Sequence, residues 1–181
     1  MTTEHWRYFL TLEEDIEKTT RFVEPNPANF RTYSIEFVRL ILAACSEVDV
    51  VAKVLCGLID PSRSVQNMDD YRPVITTKYQ KLFTSKVLID RFGLEFEPWK
   101  EWGSGINPDW WRDHQKVKHQ RHHHFALADL EHCLNAAAGL FCLVLYLHHE
   151  DFRSLQPRPR LFTTSAMMGS HFILPDFASL G

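Results

Sequence analysis

The chain reads as an all-α protein: an up-and-down bundle of four to five helices with a small β-hairpin and an extended C-terminal tail. Three observations predict this. Apolar residues recur at alternating steps of three and four over long stretches, which is the period of a helix face. Only seven glycines occur in 181 residues, few for a turn-rich β fold. A single short stretch, 87–96, alternates with the period of two that a strand requires.

The first helix is expected over about 4–24, where Trp6, Phe9, Glu13, Ile16, Thr20 and Val23 form a stripe interrupted once by charge. The prolines of "EPNPANF" stop it. A long core helix follows, with Thr32 or Ser34 as its cap and Val38, Ile41, Cys45, Val48, Ala52, Leu55 and Ile59 on one stripe. Within it, Asp49 and Lys53 lie one turn apart and are expected to pair. Residues 60–74 read as a polar connection, and a short helix is placed at about 74–84.

Val87 and Ile89, then Leu94 and Phe96, alternate around "DRFG" and predict the hairpin. Asn107 is the expected cap of the next helix, about 110–124, with Pro108 in its first turn. The last helix, about 126–149, carries Leu127, Leu130, Leu134, Ala137, Phe141, Val144 and His148 on one face and is expected to be the most buried. His148 and His149 close it, where partly protonated imidazoles suit the helix dipole. These elements assign 1–152 to one helical domain. The tail, 153–181, is too apolar for a typical disordered segment and is expected to dock on the bundle or on a partner.

A formal charge of −3 provides no general attraction to nucleic acid or anionic lipid, so any such affinity must be local. The opening residues mix charge with apolar side chains and read as no secretory leader. The apolar run 136–147 is short for a bilayer, so no membrane partner is expected. Cys45, Cys56, Cys133 and Cys142 sit in apolar helical patterns without CxxC spacing, which reads as reduced core thiols of a cytoplasmic protein.

One stretch concentrates chemistry: "WWRDHQKVKHQRHHH", 110–124, holds five of the ten histidines. Four cations against Asp113 make its local charge about +3, opposite in sign to the chain. Arg112 and His119, seven residues apart, come nearly back into line about 10 Å apart along a helix axis. Lys116 and His123 fall on the same stripe, while Trp110, Val117 and Phe125 point broadly the other way.

Three readings compete: a metal site, a solvated basic face and a phosphate-handling site. His119 and His123 have a spacing that can clamp zinc. However, no Glu follows His119 as in HExxH, no Cys or carboxylate lies close by in sequence, and the adjacent cations oppose a dication. No metal and no cofactor are therefore expected. The residue types favour phosphate. An imidazole moves protons near neutral pH, and a guanidinium holds phosphate oxygens through two parallel hydrogen bonds. Trp110 and Trp111 read as packing anchors, and His122 and His124 as exposed.

"PDWWRDHQKVKHQRHHHFALADLEHCLNAAAGLFCLVLYL" resembles the C-terminal half of bacterial HEPN-like proteins, in which Trp-Trp precedes a Lys-His-x-Arg core and a Leu/Asn/Ala-rich final helix. "LEEDIEKTTRFVE", "TYSIEFVRLILAACSEVDVVAK" and "FEPWKEW" are similar to the upstream parts, so the likeness covers most of 5–150. It departs at Gln115, where Asn is common, and at His114, where an aromatic residue is common.

The resemblance implies a helical bundle that dimerises through the motif helix and, in many members, cleaves RNA without a metal. The family signature, Arg then a polar residue and a His after a short spacer, falls on Arg112, Asp113 and His119. They are the implied catalytic residues, with Asp113 orienting Arg112 or His119. Lys116, Lys118, Arg121 and His123 are the implied substrate-binding residues, and Arg121 is an alternative phosphate ligand. Glu47 or Asp49 is the implied supporting acid from an earlier helix. The expected function is a HEPN-type, metal-independent endoribonuclease acting through the 2′-hydroxyl, in the setting of a toxin or antiphage effector. Its expected partners are RNA, a second copy of the chain and a protein such as an antitoxin. The alternative is a non-catalytic HEPN-fold protein that binds a partner, RNA or a nucleotide.

Overall fold

The computed structural model describes residues 3–164. It is an all-α, up-and-down bundle with one hairpin. Five α-helices lie among the described residues: α1 (Glu4–Thr19), α2 (Ile35–Ile59), α3 (Met68–Lys78), α4 (Asp109–His124) and α5 (Leu130–Leu147). Strands β1 (Val87–Ile89) and β2 (Leu94–Phe96) pair antiparallel between α3 and α4, with Val87 opposite Phe96 and Ile89 opposite Leu94. Gly93 turns the hairpin with φ of 63°, a left-handed conformation that a side chain disfavours.

α1 ends at Thr19, earlier than its stripe suggested. The hydroxyls of Thr19 and Thr20 donate to the carbonyls of Ile16 and Glu17, so they compete with the backbone for the last turn. Ser34 caps α2 by accepting from the Phe37 amide. Asp49 does not look to Lys53; it accepts from the Tyr71 hydroxyl at 3.1 Å. α3 lies earlier than the expected 74–84, because Asn67 caps it by accepting from the Asp69 and Asp70 amides. Pro73 sits inside α3, within the stretch that read as a polar connection.

α5 starts at Leu130, where the Asp129 carboxylate accepts from the His132 amide. Its 18 residues, at mean hydropathy 1.6, are long and apolar enough to cross a membrane by length and composition, whereas the 136–147 run alone looked short. All of them except Glu131 and Asn135 are buried inside the bundle. His148, just past its end, is buried, and desolvation depresses its pKa, so it is held neutral there instead of charged for the dipole.

α5 packs chiefly on α2, and the segment before α2 is stitched to its start. The Leu130 amide donates to Thr32 O at 2.9 Å, and the Glu131 amide donates to Phe30 O at 3.2 Å. All five tryptophans are buried. Trp99 donates through Nε1 to Gly139 O at 3.0 Å, and Trp110 donates to Pro98 O at 2.8 Å. A Cβ on Gly139 would lie 2.8 Å from Trp110 Cζ2 and 3.5 Å from Trp99 Cζ2. Gly139→Ala is therefore expected to destabilise the fold by about 1–3 kcal/mol, despite the better helix propensity of alanine. Denaturant unfolding checks this, and a stabilised variant would contradict the packing described.

The described part of the tail, up to Thr164, lies on the bundle. Leu155, Leu161 and Phe162 are buried, and the Phe162 ring lies 6.0 Å from Phe9. The amides of Arg160, Leu161 and Phe162 donate to the Glu13 carboxylate at 3.0, 2.8 and 2.9 Å. Thr163 exchanges two backbone hydrogen bonds with Leu88, extending the edge of the hairpin. Glu13, the charge that interrupted the α1 stripe, is thus a buried anchor for the tail. Residues 165–181, with most of the tail's apolar side chains, lie outside the described residues.

Candidate active site on the motif helix

α4 is positioned by its apolar residues. Trp110, Trp111 and Val117 are buried, as the sequence indicated, and Phe125 is partly buried. Pro108 takes the cap position instead of Asn107. Asn107 is occupied elsewhere: its oxygen accepts from Arg72 and its nitrogen donates to Asp69.

At 100° per residue, this leaves three faces. Trp110, Asp113 and Val117 turn toward the core and α5. Trp111, His114, Gln115 and Lys118 line a groove shared with α2 and the start of α3. Arg112, Lys116 and His119 are exposed on the outer face, with Arg112 and His119 in line.

The helix does not run evenly to His124. Gln120 has φ of −140° and ψ of 46°, outside the helical region, so the coil is broken directly after His119. Arg121, His122 and His123 therefore leave the stripe, and the expected alignment of Lys116 with His123 is lost. The same break disrupts the i, i+4 geometry that His119 and His123 would need to clamp a metal. No group of three or more His, Cys, Asp or Glu able to hold a metal occurs among the described residues. Arg121 and His122 instead line a separate cleft with Ile35, Val38 and Phe125.

Asp113 orients neither Arg112 nor His119. Its carboxylate accepts from Lys116 Nζ at 2.7 Å, and its other oxygen lies 3.3 Å from His132 Nε2. His132, only 6% exposed, donates through Nδ1 to Asp129 at 2.7 Å, and Asp129 in turn pairs with Arg31 at 3.0 Å. A chain of opposite charges thus runs from Lys116 through Asp113, His132 and Asp129 to Arg31. It ties the motif helix to the start of α5 and to the segment before α2.

Of the two supporting acids, the structure brings only Asp49 to α4, where it lines the groove with Arg112 and Lys118. Glu47 lies 2.6 Å from His5 Nδ1 and is engaged with α1. Sequence reasoning missed His132, Asp129 and Arg31. The signal was available: an Asp three residues before a His at the head of an apolar run is a cap followed by its partner. Starting the last helix at 126 placed Asp129 inside the helix and concealed it.

Two buried histidines respond to pH with opposite sign. Burial alone would push the His132 imidazole down, but its bond to Asp129 and the charges of Asp129, Asp109 and Asp113 outweigh that and raise its pKa. Asp129 is disfavoured as an anion by burial, yet is lowered by His132 and Arg31. His114 is buried with Nδ1 3.1 Å from Trp111 O, and desolvation lowers its pKa to about 4.

The stability from His132 is fully present below its unfolded value and is lost as pH rises through its raised folded value. The stability from keeping His114 neutral is present above about pH 6.5 and is lost as pH falls, by about 3 kcal/mol near pH 4. The melting temperature should therefore drop on acidification below about pH 6.5, and His114→Phe should flatten that limb. An acid limb of equal steepness in the variant would remove His114 as its source.

Comparison with known proteins places no relative beside this geometry: no family model, no curated protein and no solved structure matches the chain.

Proposed function

We propose that this chain is a metal-independent endoribonuclease of the HEPN type, cleaving RNA through the ribose 2′-hydroxyl, as a toxin or antiphage effector would. One observation carries the reading. On the unbroken part of α4 an exposed guanidinium, Arg112, and an exposed imidazole, His119, stand in line about 10 Å apart along the axis. Neither forms an ion pair or hydrogen bond among the described residues.

His119 takes the proton from the 2′-oxygen, which attacks the adjacent phosphorus while the 5′-oxygen leaves and receives a proton. Arg112 and Lys118 stabilise the charge that grows on the phosphorane oxygens. A twofold dimer through α4 brings a second His119 to the cleft, so that one imidazole acts as base and the other as acid. Asp113 has a positioning role in this scheme: it holds Lys116 on the outer face while the buried His132 holds Asp113. Arg121 and His123, beyond the break, are less suited to the same phosphate.

Incubation with mixed-sequence RNA tests the proposal. Fragments ending in 2′,3′-cyclic phosphate are expected, undiminished by EDTA, with the 2′-deoxy substrate left intact. Loss of cleavage in EDTA, or equal cleavage of DNA, overturns it.

A second reading, a non-catalytic HEPN-fold protein that binds a partner, is favoured by exposed apolar side chains on α2. Val50, Val54 and Leu58 follow at i, i+4 and i+8, and Ile35 at the helix start is 78% exposed. RNA left whole by the purified dimer, together with a protein that co-purifies on this face, supports that reading.

A further inference from the structure

We infer that the groove between α2, the start of α3 and α4 is a binding site for one ribonucleotide unit, holding its phosphate at the α4 wall and its base across the α2 floor. The inference rests on the reading of α4 as an RNA-handling helix and adds the place where the substrate is held.

The groove has a volume of about 910 Å³, within the range of roughly 300–1,000 Å³ typical of small-molecule sites. Its α4 wall carries Arg112 and Lys118, whose side chains have no ion pair or hydrogen bond among the described residues. Its carboxylates, by contrast, already have partners. Asp69 is held by Arg72 at 3.2 Å and by Asn107 at 3.1 Å, and Asp49 accepts from Tyr71. Arg72 offsets the charge of Asp69, and Asp49 keeps its own while accepting from the neutral Tyr71 hydroxyl. Arg112 and Lys118 against Asp49 therefore leave the groove about +1, which suits a phosphate.

The floor is formed by Leu42, Val50 and Met68, an apolar surface on which a flat base can lie. Gln66 and Asn67 stand on the α3 side; the Asn67 oxygen is taken by the α3 cap, which leaves its nitrogen and the Gln66 carboxamide for a base edge. Between wall and floor sits His114, held neutral by burial, so it adds no repulsion to a nearby guanidinium. Arg112 borders both the groove and the outer face. A strand whose scissile phosphate lies against Arg112 and His119 therefore places a neighbouring nucleotide in the groove.

The test uses the full His119→Ala chain, which binds without turnover, titrated with each nucleoside 5′-monophosphate and separately with a fluorescein-labelled hexaribonucleotide. Ser46→Trp fills the groove from an exposed position on α2 that takes no part in the proposed cleavage. It is expected to weaken both ligands by about tenfold or more, the scale of one lost base contact, with the circular dichroism spectrum unchanged. Val50→Trp provides the same test should the first variant misfold.

A hexamer that binds about tenfold or more tighter than any monophosphate assigns the groove to an RNA strand; equal affinities assign it to a free nucleotide. Both support the site. Hexamer binding that neither filled variant weakens overturns it, as does the absence of binding by either ligand. Wild-type chain that binds monophosphate in the groove but leaves RNA whole keeps the groove and removes the ribonuclease. Cleavage unaffected by both filled grooves does the reverse.

Discussion

His119→Ala is expected to lower the rate of RNA cleavage by about 10²–10⁴-fold, the usual contribution of a positioned acid–base group. Arg112→Ala is expected to cost a similar factor through lost charge stabilisation in the transition state. Both side chains are exposed, so the melting temperature should stay within about 2 °C of the parent. That separation makes the result interpretable, because lost activity in a folded protein is not lost structure.

Arg112→Lys discriminates further. It keeps the charge but not the fork of parallel donors, and should recover only part of the rate. Arg121→Ala, beyond the break at Gln120, should have a much smaller effect. Should Arg121→Ala abolish cleavage while Arg112→Ala does not, the phosphate ligand is the second arginine and the site lies at the other cleft. Full activity in both Arg112→Ala and His119→Ala sinks the enzymatic reading altogether.

Glu13→Ala is expected to be the most damaging single substitution for stability. The Glu13 carboxylate is 3% exposed and accepts from three consecutive amides of the tail. Its removal orphans donors at Arg160, Leu161 and Phe162, each costing about 1–3 kcal/mol where no water reaches it, so a loss of about 3–5 kcal/mol is expected. For a chain of this size that corresponds to a drop of roughly 6–20 °C in melting temperature.

The tail should then lift from Trp6 and Phe9 and become accessible to a protease between Leu155 and Thr164. Burial raises the Glu13 pKa against the lowering effect of those three amides, so the anion is held at some cost. Glu13→Gln removes that cost but turns a nitrogen donor toward the Arg160 amide, and should fall between parent and Ala. A Glu13→Ala protein as stable as the parent, with its tail still protected, would show that apolar contacts alone dock the segment.

The bundle was legible because its helices announce themselves locally. The α2 stripe from Val38 to Leu55 is buried at each predicted step, and the alternation around "DRFG" became β1 and β2. The helix ends were less legible. Whether Asn67, Asn107 or Asp129 caps a helix depends on which amide each side chain reaches: Asn107 was misjudged, and Asn67 and Asp129 were overlooked. At the site, the alignment of Arg112 with His119 follows from periodicity and survives in the structure. The partnership of Asp113 with His132 does not follow from spacing, since it joins two helices.

What the residues determined unaided, then, is whatever repeats within a few positions: the helical period, the hairpin, the buried thiols and tryptophans, and the outward face of Arg112 and His119. What only the tertiary structure decided is where the polar side chains found partners. Glu13 turned inward to the tail, Asp113 to His132, Glu47 to His5, and Gln120 broke the helix. The physical reason is that apolar burial is non-directional and can be read from pattern, whereas a hydrogen bond or ion pair needs a particular atom at about 3 Å. That atom is supplied by residues far away in the chain.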